Sequence, residues 1–410
     1  MTLKINSGRL FDRIKRLAQV GADDAGGVCR LALTDADKEG RDLVMGWMHA
    51  AGLDVEIDQI GNIFGTRRGE QNVAPIMTGS HIDTVRSGGK LDGAYGVLAG
   101  LEVAETLNDN GIKTRRPFVV AVFTNEEGAR FQPDMMGSLV HAGGLAVEEA
   151  LSATDATGIP LRQELLRIGY AGAVPCGHIR PHQFVELHIE QGPVLERMNI
   201  PIGVVENLQG ISWTELTITG QANHAGTTPM SMRSDAGYGA SALAVAVRGI
   251  AEELGGTQVG TVGKIEMFPN VINVVPGKAR MTVDLRNTDE GLLCRAETLL
   301  ENCIEKLAEN EGLEISSRQL ARFQPVTFDP LIADVIERHA KQLGLPSMRM
   351  TSGAGHDAQM MARVCPSAMI FVPSVGGVSH NPAEHTDSVH LEGGANMLLN
   401  VVHELAQLAH

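Results

Sequence analysis

Four short runs of this chain gather side chains that can hold a metal or move a proton. GSHIDTVRSGGKLDG, residues 79–93, carries His81, Asp83 and Asp92 in a Gly-rich loop. FTNEEGARF, residues 123–131, sets Glu126 beside Glu127, and VELHIEQGP, residues 185–193, holds His188 ahead of Glu190 and Gln191. GGVSHNPAEHTD, residues 376–387, holds His380 and His385. Taken singly each run has an ordinary explanation: a loop histidine, an Asp92 that caps a helix before Gly93, a solvated turn, a buried strand histidine. Taken together, His81, Asp92, Glu127, His188 and His385 supply three imidazoles and two carboxylates. Those are the donors that suit a pair of Zn²⁺, Mn²⁺ or Co²⁺ ions, with one bridging carboxylate and two terminal ligands on each ion. Asp83 is spaced to receive the other ring N–H of His81, as carboxylates beside metal-bound imidazoles do. Adjacent residues at a strand end point in different directions, so Glu126 can face a substrate as proton shuttle while Glu127 ligates.

Nucleophilic routes have less support. No G-x-S-x-G run occurs, and Cys29, Cys176, Cys294, Cys303 and Cys365 lack C-x-x-C spacing. Ser352 precedes the neighbouring pair His356–Asp357, but adjacent positions rarely form a triad, so His356 is read as a structural or supporting residue.

The elements that must position these groups alternate in type, which indicates an α/β protein. A helix over residues 37–51 precedes an alternating strand at 53–58, and 75–77, 118–123 and 184–189 read as further strands, the second almost wholly apolar and so central. Each runs directly into one of the polar turns, as expected of a site beyond the carboxyl ends of the strands. A helix follows at 93–110. The middle of the chain reads differently: strand 211–219, helix 235–254, strands 259–268 and 278–286, helix 289–311 and a strand near 313–323. That βαββαβ order is ferredoxin-like and self-contained. It predicts an inserted domain over 207–324, within a catalytic domain formed by 1–206 and 325–410, with Asn207–Gly210 and Phe323–Pro325 as the two crossings.

The 410 residues suit two domains, and 34 Lys and Arg against 49 Asp and Glu give a formal charge of −15. Such a surface repels phosphate backbones, so nucleic acid is excluded as a partner. No apolar run approaches the roughly 18 residues of a membrane span, and the first residues lack an apolar signal core, so a cytoplasmic protein without membrane association is expected.

The runs GSHIDT, KLDG, TNEEGARF, ELHIEQGPVLE, NHAGTTPM, NVINVVPGKARMTVDLR, SGAGHDA and SHNPAEHTD resemble the amidase branch of the dinuclear metallopeptidase family M20. That branch includes N-carbamoyl-L-amino-acid hydrolases, allantoate amidohydrolases and yeast-type β-ureidopropionases. The resemblance spans nearly the whole chain. It implies a mixed-sheet metallopeptidase-like catalytic domain with an inserted ferredoxin-like lid and dimerisation domain, and two divalent ions (Zn, Mn or Co) per subunit. Asp92 would bridge, with His81 and His188 on one ion and Glu127 and His385 on the other. His385 is chosen because it follows the Pro-Ala-Glu stretch, and His380 is the alternative. Glu126 becomes the general base and Asp83 the partner of His81. In the middle domain His224 matches the histidine that stabilises the transition state, Asn273 a polar substrate contact lying beside Arg286, and Arg286 the anchor for a substrate carboxylate. Gln191 and Gly355 match further substrate contacts.

The implied reaction is hydrolysis of the ureido C–N bond of an N-carbamoyl-L-amino acid to the amino acid, ammonia and CO₂. Allantoate, with a ureido group beside a carboxylate, is the alternative substrate, and β-ureidopropionase activity ranks third. A homodimer is expected, with His224 reaching the partner's metals. A metal-free binding or scaffold relative would have no need of all five ligands and Glu126.

Overall fold

The computed structural model describes residues 3–408, and these fall into two compact units. The first runs to Glu206 and resumes at Thr327, and the second is Asn207–Val326.

The first unit is built on one mixed nine-stranded sheet. In chain order the strands of the molecule are β1 (Asp54–Ile57), β2 (Ile63–Arg67), β3 (Ile76–His81), β4 (Phe118–Phe123), β5 (Gln183–Ile189) and β6 (Ile202–Leu208). Then come β7 (Gly210–Thr219), β8 (Asn223–His224), β9 (Val259–Phe268), β10 (Val274–Val275), β11 (Lys278–Asn287) and β12 (Glu314–Phe323). The last three are β13 (Val326–Thr327), β14 (Ser347–Ser352) and β15 (Ser367–Val372). The large sheet has the order β1-β2-β4-β3-β5-β15-β6-β13, with β14 also paired to β6. Its centre, β4-β3-β5-β15, is parallel, while β2 and β6 join it antiparallel on either side. Parallel strands need both faces covered, and β3, β4 and β15 are buried along their whole length; β4, and β15 after Ser367, are accordingly continuous apolar runs, while β3 turns after Met77 to the small and polar Thr78, Gly79, Ser80 and His81 that lead into the site. The helices Ala94–Asp109 and Ser388–Gln407 pack on this centre and on each other, and both are buried along most of their length.

Because the four central strands are parallel, their carboxyl ends lie along one edge. His81 ends β3, Glu126 and Glu127 follow β4, His188 is the penultimate residue of β5, and the His380 loop follows β15.

The second unit is a four-stranded antiparallel sheet of order β12-β7-β11-β9, with the helices Ala236–Leu254 and Glu290–Glu311 packed on it. The alternation along β11 puts Ala279, Met281, Val283 and Leu285 into the core shared with those helices. This is the ferredoxin-like βαββαβ arrangement. A separate pair, β8 with β10, sets His224 opposite Val274.

Candidate active site

Asp92 is the centre of the site. The helix after β3 begins at Ala94 with Gly93 as its cap residue and no side-chain cap, so Asp92 does not cap it. Its carboxylate turns instead to the imidazoles: Oδ1 lies 3.6 Å from His81 Nε2 and 3.2 Å from His188 Nε2, and Oδ2 lies 3.4 Å from His380 Nε2. Gly93 has φ 61°, and a Cβ there would sit 2.4 Å from the His81 ring, so glycine is required for the loop to pass this close.

The histidine tautomers are set by the backbone. His81 Nδ1 donates to the Asp83 carbonyl at 2.9 Å, and His188 Nδ1 donates to the Ile189 carbonyl at 2.9 Å. Both Nε2 atoms therefore present lone pairs, that of His188 accepting the Gly93 N–H at 3.1 Å, and both face carboxylate oxygens, with Glu126 Oε2 3.2 Å from His81 Nε2. Lone pairs set against carboxylates need a cation between them, either a proton or a metal ion. Burial disfavours charge on His81, yet Glu126, Asp92 and Asp83 raise its pKa well above the ordinary value. Burial would raise Asp92, but His188 and His81 hold it well below the usual carboxylate range. The same field attracts a divalent cation. Ligand atoms of His81, Asp92 and His188 lie within 4.8 Å of one another, as do those of Asp92, Glu127 and His380, so two groups of possible ligands share Asp92; Glu186, His188 and His356 make a third group that shares His188. This donor set fits divalent metal ions.

Three expectations are corrected by the geometry. The histidine beside Asp92 and Glu127 is His380, whose Nε2 is 3.2 Å from Glu127 Oε2, and not His385. His385 Nε2 instead meets Asp387 Oδ1 at 3.2 Å, and its ring lines a cavity with Phe11, Ile14 and Leu391. The cause is a turn at Asn381–Glu384, closed by Glu384 N–H to the Asn381 carbonyl at 3.0 Å, which carries the chain past the cluster before His385 is reached. Asp83 supports His81 through its main-chain carbonyl. Its carboxylate is 3.9 Å from Nδ1 and accepts the backbone N–H of Glu126 at 3.2 Å and of Glu127 at 3.3 Å. Within one chain Asn273 does not lie beside Arg286. It precedes β10, and its carbonyl accepts the N–H of Ala225, next to His224, whereas Arg286 is near the far end of β11, roughly 26 Å along an extended strand from Lys278.

Glu126 is buried, and burial together with Asp357, Glu127 and Asp92 raises its carboxyl well above the ordinary range against the opposing pull of His81. A carboxyl held above its ordinary range is a better proton acceptor than a free one and can return the proton it takes. Asn125, before it, has φ 56°, the left-handed turn that swings the chain sharply off β4. Gln191, also left-handed at φ 58°, donates from Nε2 to Asp92 Oδ2 at 2.8 Å. Gly355 passes close to Met135, whose N–H bonds the Glu126 carbonyl at 2.7 Å. In the second unit His224 Nδ1 accepts from the N–H of Gly226 at 3.0 Å and Thr227 at 3.2 Å, which leaves Nε2–H as its donor. Arg286 is gripped along one edge by Asp284, with Nε to Oδ1 at 3.0 Å and Nη2 to Oδ2 at 2.8 Å, and its guanidinium lies 5.9 Å from the Trp213 ring centroid. Ser379 and Glu384, both bonded into the Asp92 cluster, were not singled out by sequence reasoning, although Glu384 sits in the run that separates the two histidines.

Residues 77–404 match the model of peptidase family M20/M25/M40. The chain belongs to that family. An N-carbamoyl-L-amino-acid amidohydrolase of Rhizobium meliloti is 43% identical over 406 residues, covering 99% of this chain and 98% of that protein. An allantoate amidohydrolase of Bacillus subtilis is 35% identical, covering 97% of each. A crystal structure of an amidase of the hydantoinase/carbamoylase family from Burkholderia multivorans superposes with a TM-score of 0.94 at 44% identity, covering both chains fully. These M20 relatives are amidohydrolases of linear C–N bonds, and this chain shares their fold and catalytic class.

Proposed function

We propose that this M20 member is a divalent-metal amidohydrolase that cleaves the ureido C–N bond of N-carbamoyl-L-amino acids, releasing the amino acid, ammonia and CO₂. The observation that carries the reading is the pair of donor clusters sharing Asp92, with Glu126 buried against them. His81, Asp92 and His188 would hold one ion and Asp92, Glu127 and His380 the other, and the pair supplies Lewis acidity and a water of lowered pKa. Glu126 takes the proton of the attacking water and returns it to the departing nitrogen. His224 donates Nε2–H to the developing oxyanion. Arg286 reads the substrate carboxylate through its planar fork, in exchange with Asp284. Zn²⁺, Mn²⁺ and Co²⁺ all suit this ligand set. Allantoate is the second reading, favoured by the relative that is 35% identical over nearly the full length.

The protein is also proposed to be a cytoplasmic homodimer through its second unit. The five cysteines are free, as a reducing compartment keeps them, and no described helix is long and apolar enough to cross a membrane. Edge strand β9 exposes Val259, Ile265 and Phe268, and the loops that carry His224 and Asn273 expose Met230, Met232, Val271 and Ile272. Apolar groups left at an edge and around functional loops fit a covering second copy. The deciding experiment is a panel of N-carbamoyl-L-amino acids, their D-isomers, N-carbamoyl-β-alanine and allantoate, assayed with the metal-analysed protein and its chelated form. Turnover of L-carbamoyl substrates that is lost on chelation and restored by Mn²⁺, Co²⁺ or Zn²⁺ supports the reading. Turnover of allantoate alone transfers it to the second.

A further inference from the structure

The run between His380 and His385 contains a carboxylate that the mechanism leaves without a role. Glu384 is only 3% exposed, yet among the described residues none of its hydrogen bonds is with a cationic side chain. Oε1 accepts the backbone N–H of Leu91 at 2.9 Å and of Asp92 at 3.2 Å, and Oε2 meets Ser379 Oγ at 3.1 Å. Ser379 Oγ also lies 3.2 Å from Asp92 Oδ2, and Gln191 Nε2 spans both, 2.8 Å from Asp92 Oδ2 and 3.3 Å from Ser379 Oγ. Space for this contact is reserved on the other loop: a Cβ on Gly89 would stand 2.1 Å from Glu384 Oε1. A buried carboxylate on main-chain amides is costly to place and specific in direction, and here it grips the backbone of the one residue common to both donor clusters.

Building on the proposed metal site, we infer that Glu384 is a positioning residue: it fixes the Leu91–Asp92 main chain so that the Asp92 carboxylate is presented to both cations, and it ties the loop of His380 to the loop of Asp92. Groups beyond the ligands that orient them are typically worth about 10–100-fold in metal affinity. Since Asp92 is shared, loosening its backbone weakens both sites, whereas damage confined to the His380 loop would weaken one.

The test is Co²⁺ titration of the metal-free full-length protein, following bound metal by elemental analysis and the visible absorption of the bound ion, whose band shape reports its geometry. The parent is expected to take up two ions. Glu384→Ala, with circular dichroism unchanged, should bind both ions about 10–100-fold more weakly with an altered band. Glu384→Gln retains an oxygen for the two amides and should recover most of the affinity. If Glu384→Ala does not fold, Glu384→Asp, which keeps the charge but shortens the reach, replaces it with the same expectation. Parent-like affinity and spectrum in the folded Ala or Asp variant overturns the inference, as does a Gln variant no better than Ala. A parent that binds no Co²⁺ is a different result, which overturns the metal reading itself.

Discussion

His380 Nε2 stands 3.2 Å from Glu127 Oε2 and 3.4 Å from Asp92 Oδ2. Glu127, followed by Asp92, raises the His380 pKa to about 9 even though the ring is half exposed, so this position binds positive charge strongly. His385, five residues on, is engaged with Asp387. His380→Ala is therefore expected to lose one equivalent of metal and to lower kcat/KM by at least about 100-fold, while His385→Ala keeps both ions and nearly full activity. Metal analysis of the two purified variants beside their kinetics decides this, and the opposite pattern would restore His385 as the ligand.

Glu126 and Glu127 are chain neighbours held by one carboxylate, Asp83, through their amide N–H groups, but their side chains meet different histidines, His81 and His380. Glu126→Gln should retain both metals and lose roughly 10²–10⁴-fold in kcat, the usual worth of general acid–base help. Glu127→Gln should lose metal. Equal metal content with equal residual activity in the two variants would contradict the division of roles.

Much of this architecture is legible in the residues because its central strands are buried on both faces. The strand at Phe118–Phe123 and the alternating Lys278–Asn287 stand out by pattern, and their bounds in the structure differ little from the sequence reading. The strand at Ile63–Arg67 was not read. It is short and ends in Thr66 and Arg67, and what makes it a strand is pairing to β4 rather than its own periodicity. His81, Glu126, Glu127 and His188 could be picked out because each follows or ends a strand, and Asp92 because it stands just before the helix that opens at Ala94. The choice between His380 and His385 could not be made in the same way. It depends on a turn whose closing bonds, Glu384 N–H to the Asn381 carbonyl and Ala383 N–H to Asn381 Oδ1, are tertiary detail without a period. Likewise the sequence does not tell whether Asn273 and Arg286, which the resemblance sets side by side, meet within one chain, where an extended strand separates them.

Acid should destabilise the first unit partly through His141. Its ring is packed against Phe64, with centroids 5.1 Å apart, Nε2 meets the Ile179 carbonyl at 3.0 Å, and Nδ1 finds no partner among the described residues. Burial lowers its pKa to about 4. Below the unfolded value of about 6.5 the unfolded chain takes up a proton that the folded chain refuses, so stability falls as pH drops from 6.5 and levels off below 4. The loss attributable to this one ring is about 2 kcal/mol by pH 5. His141→Gln removes the ionisation, so the drop in its urea midpoint between pH 7.5 and pH 5 should be smaller than the parent's. An identical drop in the two proteins would assign the acid sensitivity to other groups.

The placement of His224 and Asn273 at one end of β11 and Arg286 near the other leads to the last prediction. About 26 Å of extended strand is longer than an N-carbamoyl amino acid, so one copy of the second unit cannot bring all three to the same substrate. In a two-fold dimer the difficulty disappears if His224 and Asn273 serve one active site while Arg286 serves the other. His224→Ala and Arg286→Ala dimers should each be impaired by more than about 100-fold, since each removes a group that contacts the reacting or anchoring end of the substrate. After equimolar subunit exchange, half of the dimers are mixed, and in each of these one site has an intact His224 from one chain and an intact Arg286 from the other. Activity should therefore return to about a quarter of the parent's. The mixed species can be verified by mass spectrometry of a size-tagged pair. If exchange is complete and no activity returns, His224 and Arg286 draw on the same chain, and the shared-site dimer is wrong.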